Sequence, residues 1–66
     1  MNITLNGRLK KINPAMTLRN LVEQFCKNPN HVIVELNGTI IKNERWASQE
    51  VQDGDTLELV NLVGGG

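Results

Sequence analysis

The residues best suited to take part in chemistry close the sequence, as Val63-Gly64-Gly65-Gly66. Glycine has no Cβ atom, so a run of glycines can pass through a slot as narrow as the main chain. We expect the Gly66 carboxylate to be presented on this thread, with Gly64 and Gly65 entering the active site of another protein. The alternative interpretation is a frayed terminus or a remnant of cloning.

Such a carboxylate needs activation before it can react. It is anionic and resonance-stabilised, so it must first become a mixed anhydride, such as the acyl-adenylate formed with ATP. The sequence has no Walker A motif and no glycine-rich phosphate loop between a strand and a helix. It has no nucleophile–base pair, and its one cysteine, Cys26, and one histidine, His31, cannot complete a zinc site. We therefore predict a substrate of other enzymes, with no catalytic residue, metal or cofactor of its own.

Length and charge limit the other possibilities. The 66 residues make a single domain, 1–66, near the lower limit for a chain that folds unaided. Seven Lys and Arg residues balance seven Asp and Glu residues, so the chain lacks the cationic excess on which nucleic-acid binding depends. No apolar run approaches the ~20 residues of a membrane span, and the N-terminus lacks a signal-peptide pattern. We expect a cytoplasmic protein without nucleic-acid or membrane partners.

The N-terminal part of the sequence predicts a hairpin. Residues 2–6 alternate between apolar and polar side chains, which is the period of a half-buried strand. Asn6-Gly7 then favours a type I′ turn, because both central residues of that turn need a positive φ. Residues 8–13 return as a second strand with Leu9 as its apolar position, and a register with Ile12 inward would need a bulge.

A single amphipathic helix follows. Thr17 can act as the N-cap of a helix that begins at Leu18, and Asn28-Pro29-Asn30 ends it. Glu23 and Lys27 have the i, i+4 spacing of an exposed ion pair. One apolar stripe lies on the other side of this helix: Leu18, Leu21, Val22, Phe25 and Cys26.

The remaining elements complete a mixed sheet. They are a strand at 32–36, an Asn-Gly turn at 37–38, a short strand at 39–42, an irregular segment at 43–52, a tight turn at 53–55 and a last strand at 56–63. We expect Trp46, in the irregular segment, to be a half-buried lid over the edge of the core. One helix can cover one face of a four- to five-stranded sheet, so the predicted fold is an α+β β-grasp. Its first and last strands should lie side by side and parallel at the centre.

The last strand also offers a surface for docking. Leu57 and Leu59 share the parity that suits the core, whereas Val60 and Leu62 point to the other face of the sheet. If no helix covers that face, these two side chains form an exposed apolar pair beside the glycine tail. We therefore predict partner docking through Val60, Leu62 and Val63, with a flexible tail at 63–66.

Several of these residues together carry a family resemblance. They are Asn37-Gly38 followed by Ile40-Ile41, then Trp46, then Asp53-Gly54-Asp55, then the terminal Val63-Gly64-Gly65-Gly66. In this order they resemble the ThiS family, the sulfur carriers of thiamine thiazole biosynthesis in the ubiquitin-like β-grasp group. The MoaD-like sulfur carriers of molybdopterin synthesis are the alternative. Asn61-Leu62-Val63 lacks the aromatic and proline residues that MoaD-like chains commonly carry before their diglycine.

The resemblance implies a set of partners. A ThiF-like adenylyltransferase would use ATP and Mg²⁺ to adenylate Gly66, and a protein persulfide would supply sulfur, leaving a thiocarboxylate. A ThiG-like thiazole synthase would then accept the sulfur. Two other classes remain open: a ubiquitin-like modifier conjugated to lysines of other proteins, and a ubiquitin-fold binding module with an inert tail.

Overall fold

The structure is a computed structural model that describes residues 1–62. Its elements in chain order are β1 (Asn2–Leu5), β2 (Arg8–Lys11), α1 (Leu18–Phe25), β3 (Val32–Leu36), β4 (Thr39–Ile41) and β5 (Thr56–Asn61). Short 3-10 segments lie at Pro29–His31, before β3, and at Asn43–Ser48, after β4. The predictions made for Val63, Gly64, Gly65 and Gly66 fall outside the described residues.

The five strands form one mixed sheet in the order β2-β1-β5-β3-β4. β5 lies at the centre, parallel to β1 and antiparallel to β3, with Leu5 opposite Leu57 and Val34 opposite Leu59. The outer pairs β1–β2 and β3–β4 are antiparallel hairpins. This is the predicted β-grasp, including the parallel first and last strands, and it places the strand that leads to the tail between two supporting hairpins.

Both hairpins turn through an Asn-Gly pair with positive φ at each residue. Asn6 and Gly7 have φ of 50° and 81°, and Asn37 and Gly38 have φ of 52° and 87°. These are the signs that a type I′ turn requires, and its twist matches that of the flanking strands. The two turns predicted from sequence are therefore confirmed, and each one is followed by an edge strand, β2 or β4.

The side-chain alternation in β2 differs from the prediction. Its register with β1 is regular, with Leu9 opposite Thr4 and Lys10 opposite Ile3, so no bulge is present in this ladder. Leu9 consequently faces away from the helix and is 75% exposed, while Ile12 is buried. Lys10, opposite Ile3, is on the same face of the sheet as the helix, and its ammonium lies 5.5 Å from the centre of the Phe25 ring. A lysine can occupy this edge position because its aliphatic stem covers apolar surface while its charge stays in water.

The helix begins where the sequence predicted, at a reciprocal cap. The Asn20 N–H donates to the Thr17 hydroxyl, and the Thr17 N–H donates to the Asn20 side-chain oxygen, each at 3.2 Å. The expected Glu23–Lys27 pair is wrong. The helix ends at Phe25, so Lys27 lies beyond its last turn, and Glu23 pairs instead with Arg19 at 3.5 Å.

The core lies between the helix and one face of the sheet. Its buried members are Ile3, Leu5, Ile12, Leu18, Leu21, Val22, Val32, Val34, Trp46, Val51 and Leu57. The half-buried lid predicted for Trp46 is wrong, because this side chain is 2% exposed. The segment Asn43–Ser48 packs against α1, and the Trp46 indole N–H donates to the Ile41 carbonyl at 2.9 Å. Because the indole N–H has this hydrogen-bond acceptor, the whole ring can be buried without an unpaired polar group.

Candidate functional site

The candidate site is the end of β5 and the sheet face around it, because this strand leads to the glycine tail. β5 is paired with β3 as far as Asn61, which lies opposite Val32. The next N–H, that of Leu62, donates to the His31 carbonyl at 2.6 Å. His31 therefore contributes to this site through its main-chain carbonyl. That hydrogen bond holds the chain in place as far as Leu62, the last described residue.

Asn6 holds β5 from the β1 side. Its side-chain oxygen accepts the Leu59 N–H at 2.8 Å, and its side-chain NH₂ donates to the Leu59 carbonyl at 3.4 Å. Its own N–H donates to the Leu57 carbonyl at 2.9 Å. One side chain thus continues the parallel ladder past Leu5 with main-chain-like hydrogen bonds.

Asn37 holds the start of β5 from the β3 side. Its side-chain oxygen accepts the Thr56 N–H at 2.9 Å, and its N–H donates to the Thr56 carbonyl at 2.8 Å. Its NH₂ also donates to an Asp55 carboxylate oxygen at 3.0 Å. The two turn asparagines therefore anchor the start and the middle of the central strand, a role that no local sequence signal reveals.

Replacing Asn37 with alanine is expected to lower the free energy of unfolding by about 3 kcal/mol. Two side-chain hydrogen bonds are lost at ~1 kcal/mol each, and alanine is strained at positive φ by ~1–2 kcal/mol. Asn37→Gly is the matched control, since it removes the same bonds without the strain and should cost about 2 kcal/mol. Urea denaturation of both variants measures the difference. Equal costs for the two would contradict the strain contribution, and no cost would contradict the anchoring role.

The sheet face opposite the helix carries an apolar cluster. Val60 and Leu62 are 46% and 57% exposed on it, as the predicted docking pair requires. The strand register adds Ile33, which lies opposite Val60, and Ile40, which is 61% exposed one strand further out. We call these four residues the open-face patch. Sequence analysis missed Ile33 and Ile40, although the in-and-out alternation of β3 around Val34 predicts which face Ile33 takes.

Two carboxylates lie within this face. Glu35 on β3 and Glu58 on β5 are directly opposite one another, and Glu35 is also opposite Ile40 on β4. Like charges in opposed positions destabilise a sheet slightly, so the pair does not contribute to folding. Among residues 1–62 neither carboxylate forms a salt bridge. The open-face patch is therefore apolar with a negative stripe across it.

Within residues 1–62, neither the cysteine thiol nor the acidic side chains form a reactive or metal-binding centre. Partial burial raises the pKa of the Cys26 thiol, so this thiol is protonated and a weak nucleophile at neutral pH. No cluster of three or more His, Cys, Asp or Glu side chains among these residues could hold a metal ion. The same part of the chain contains no helix long and apolar enough to cross a membrane.

The predicted tail residues cannot be placed in this geometry. Gly64, Gly65 and Gly66, and Val63 among the predicted docking residues, lie outside the described residues, so their roles stay predictions. The structure does show the part of the chain that precedes these residues. β5 carries the chain along the sheet, with the open-face patch on one side, to Leu62.

Comparisons with known proteins agree with this architecture. The model of the ThiS family matches residues 3–66. A sulfur carrier protein ThiS from Bacillus subtilis is 37% identical over 65 residues, which cover 97% of this chain and 98% of that protein. The crystal structure of a thiamine biosynthesis protein (ThiS) from Geobacter metallireducens superposes with a TM-score of 0.87 at 30% identity, with complete coverage of both chains.

A longer relative links the same unit to a synthase. A thiazole synthase from Paramagnetospirillum magneticum is 33% identical over 66 residues. The match covers 100% of this chain and 20% of the length of that protein. The chain therefore spans about a fifth of this relative, which contains a segment similar to it.

Proposed function

The chain belongs to the ThiS family, and on that premise we propose that it is a sulfur carrier whose Gly66 carboxylate is converted to a thiocarboxylate. The observation that carries the proposal is the match of the family over residues 3–66, glycine tail included. The structure supports it in one further respect. The apolar open-face patch includes the exposed side chains of Val60 and Leu62, so a partner docked there contacts the stretch of chain that directly precedes the tail.

Loading proceeds in three steps, which begin on a ThiF-like adenylyltransferase. A Gly66 carboxylate oxygen attacks the α-phosphorus of ATP, with Mg²⁺ held by the enzyme, and pyrophosphate leaves. The terminal sulfur of a protein persulfide then attacks the acyl carbon and AMP leaves, forming an acyl disulfide. Attack by a thiol on the donor's sulfur releases the thiocarboxylate and a disulfide. The carrier contributes the carboxylate and the docking surface, and needs no general acid or base.

A thiazole synthase of the ThiG type is the proposed consumer. A thiocarboxylate is a softer and stronger nucleophile than a carboxylate, so it can transfer sulfur to a substrate carbon that the synthase holds as an imine. Fusion of a similar segment to a protein named thiazole synthase supports this choice over the MoaD-like alternative. After transfer, hydrolysis returns Gly66 to the carboxylate.

Loading can be tested by intact-mass spectrometry. The purified chain is incubated with a ThiF-like enzyme, ATP, Mg²⁺ and a persulfide donor. We expect its mass to rise by the difference between one sulfur and one oxygen atom, and tandem fragmentation to place that change on Gly66. Omitting ATP is the control and should leave the mass unchanged.

Other results would separate the alternatives. An unchanged mass with an enzyme that loads the Bacillus subtilis relative would contradict the proposal. A mass increase located at a residue other than Gly66 would contradict the assigned site. Adducts in which the tail is joined to lysines of other proteins would instead indicate a ubiquitin-like modifier.

A further inference from the structure

The two edges of the sheet differ sharply in character. β2, at one edge, has the sequence Arg-Leu-Lys-Lys, with all its residues exposed. β4, at the other, has the sequence Thr-Ile-Ile and carries no charge. Charged side chains on an edge strand discourage pairing with other chains, whereas an apolar, uncharged edge invites it. The charges on β2 therefore disfavour pairing with another chain, whereas β4 has no charged side chain that would oppose it.

The backbone of Ile40 is the part of this edge that can pair. In a two-residue hairpin the residues flanking the turn, here Leu36 and Thr39, exchange both main-chain hydrogen bonds. The next residue, Ile40, therefore points its N–H and C=O away from β3. Within residues 1–62, no hydrogen bond outside the β3–β4 ladder involves the Ile40 backbone. One donor and one acceptor are thus available to an added strand.

A groove lies alongside this edge, between β4 and the segment that follows it. Its volume is about 390 Å³, and it is lined by Thr39, Ile40, Ile41, Lys42, Arg45 and Gln49. The lining contains two cations and no carboxylate, because Glu44 does not contribute to it. Among residues 1–62 neither cation forms a salt bridge. The groove therefore has a positive charge that the described residues leave unpaired.

We propose that the β4 edge binds an extended segment of a partner protein in which acidic and apolar side chains alternate. The segment pairs with the N–H and C=O of Ile40 as a sixth strand. Side chains of an added strand alternate between the two faces. Its apolar residues extend the open-face patch beside Ile40, and its carboxylates enter the groove toward Lys42 and Arg45. The β4 edge shares Ile40 with the open-face patch, but the pairing proposed here does not depend on any chemistry at Gly66.

Charge favours such a segment over a second copy of this chain. Pairing of β4 with β4 of another copy would bring a second Lys42 and Arg45 to the same edge. The strand itself has no carboxylate to offer in return. An acidic segment neutralises both cations, so electrostatic complementarity selects it.

NMR titration of the isotope-labelled full chain tests the proposal. The probe is a short blocked peptide of alternating valine and glutamate. We expect its addition to shift the amide resonances of residues 39–42 and of Arg45. Ile40→Pro removes the outward N–H and should weaken binding about tenfold, the effect of losing one backbone hydrogen bond. Proline is tolerated on an edge strand where its N–H would face solvent.

Leu9→Pro is the matched control, because Leu9 holds the equivalent position after the other Asn-Gly turn. It should leave binding unchanged. Replacing Lys42 and Arg45 together with glutamate should abolish binding of the glutamate peptide and favour one of alternating valine and lysine. Absence of shifts, shifts centred on β2, or equal effects of the two proline variants would overturn the proposal. Concentration-dependent shifts at residues 39–42 without peptide would overturn it in favour of a second copy.

Discussion

Deleting Gly66 is expected to abolish sulfur loading while leaving the folded body and its docking intact. Removal of one residue withdraws the carboxylate by ~3.5 Å from the position that the adenylating enzyme attacks. Misplacement of a reacting group by even 1 Å costs ~100-fold in rate, so the loss should exceed about 100-fold. Intact-mass measurement under loading conditions follows the reaction directly.

Two further readouts make this prediction specific. The deletion variant retains the open-face patch, so it should compete with the full chain for the adenylating enzyme and slow its loading. Its free energy of unfolding should match that of the full chain, because the core and both asparagine anchors lie within residues 1–62. Gly65→Val, which keeps the length but adds a branched side chain, should also block loading. Loading of the deletion variant at the rate of the full chain would contradict the account.

Replacing Val60 with aspartate is expected to weaken binding to the adenylating enzyme about 100-fold. Val60 lies on β5 beside Ile33 in the open-face patch, and a carboxylate buried there against apolar partner surface would lose its hydration. Loss of a central interface contact of this kind costs ~3 kcal/mol, which corresponds to about 100-fold in affinity. Surface plasmon resonance with the enzyme immobilised measures this loss.

Leu9→Asp is the control for the Val60 variant. Leu9 is on the same face of the sheet as Val60, but it lies on the edge strand β2, two strands away from β5. The same change of charge there should reduce affinity less than about tenfold if docking centres on β5. A similar loss from both variants would indicate a general charge effect, and no loss from Val60→Asp would remove the open-face patch from the interface.

Local chemistry explains which parts of the fold could be predicted from the sequence. The Asn-Gly turns, the Thr17 cap and the apolar stripe of the helix each depend on residues close together in the chain. Their order then leaves few topologies, because one helix must cover one face of the sheet. The exposure of Val60 and Leu62 followed from the same period-two pattern along β5.

The remaining features depend on neighbours distant in the sequence. The burial of Trp46 requires the Asn43–Ser48 segment to pack against α1, and a single aromatic residue in an irregular stretch does not predict this. The anchoring role of Asn6 becomes visible once β5 is beside it, since its partner Leu59 is 53 residues away. Ile33 and Ile40 likewise join the open-face patch through strand pairing. Sequence patterns predict which face a residue takes, but not which strands lie next to one another.

Transfer of labelled sulfur shows whether this chain is the sulfur donor in thiazole formation. The chain is loaded with a heavy sulfur isotope, purified as the thiocarboxylate, and mixed with a ThiG-like thiazole synthase and its substrates. We expect the isotope to appear in the thiazole product in proportion to the carrier consumed, and the carrier to return to its original mass. Thiazole formed without the isotope, while the carrier keeps its label, would contradict the account.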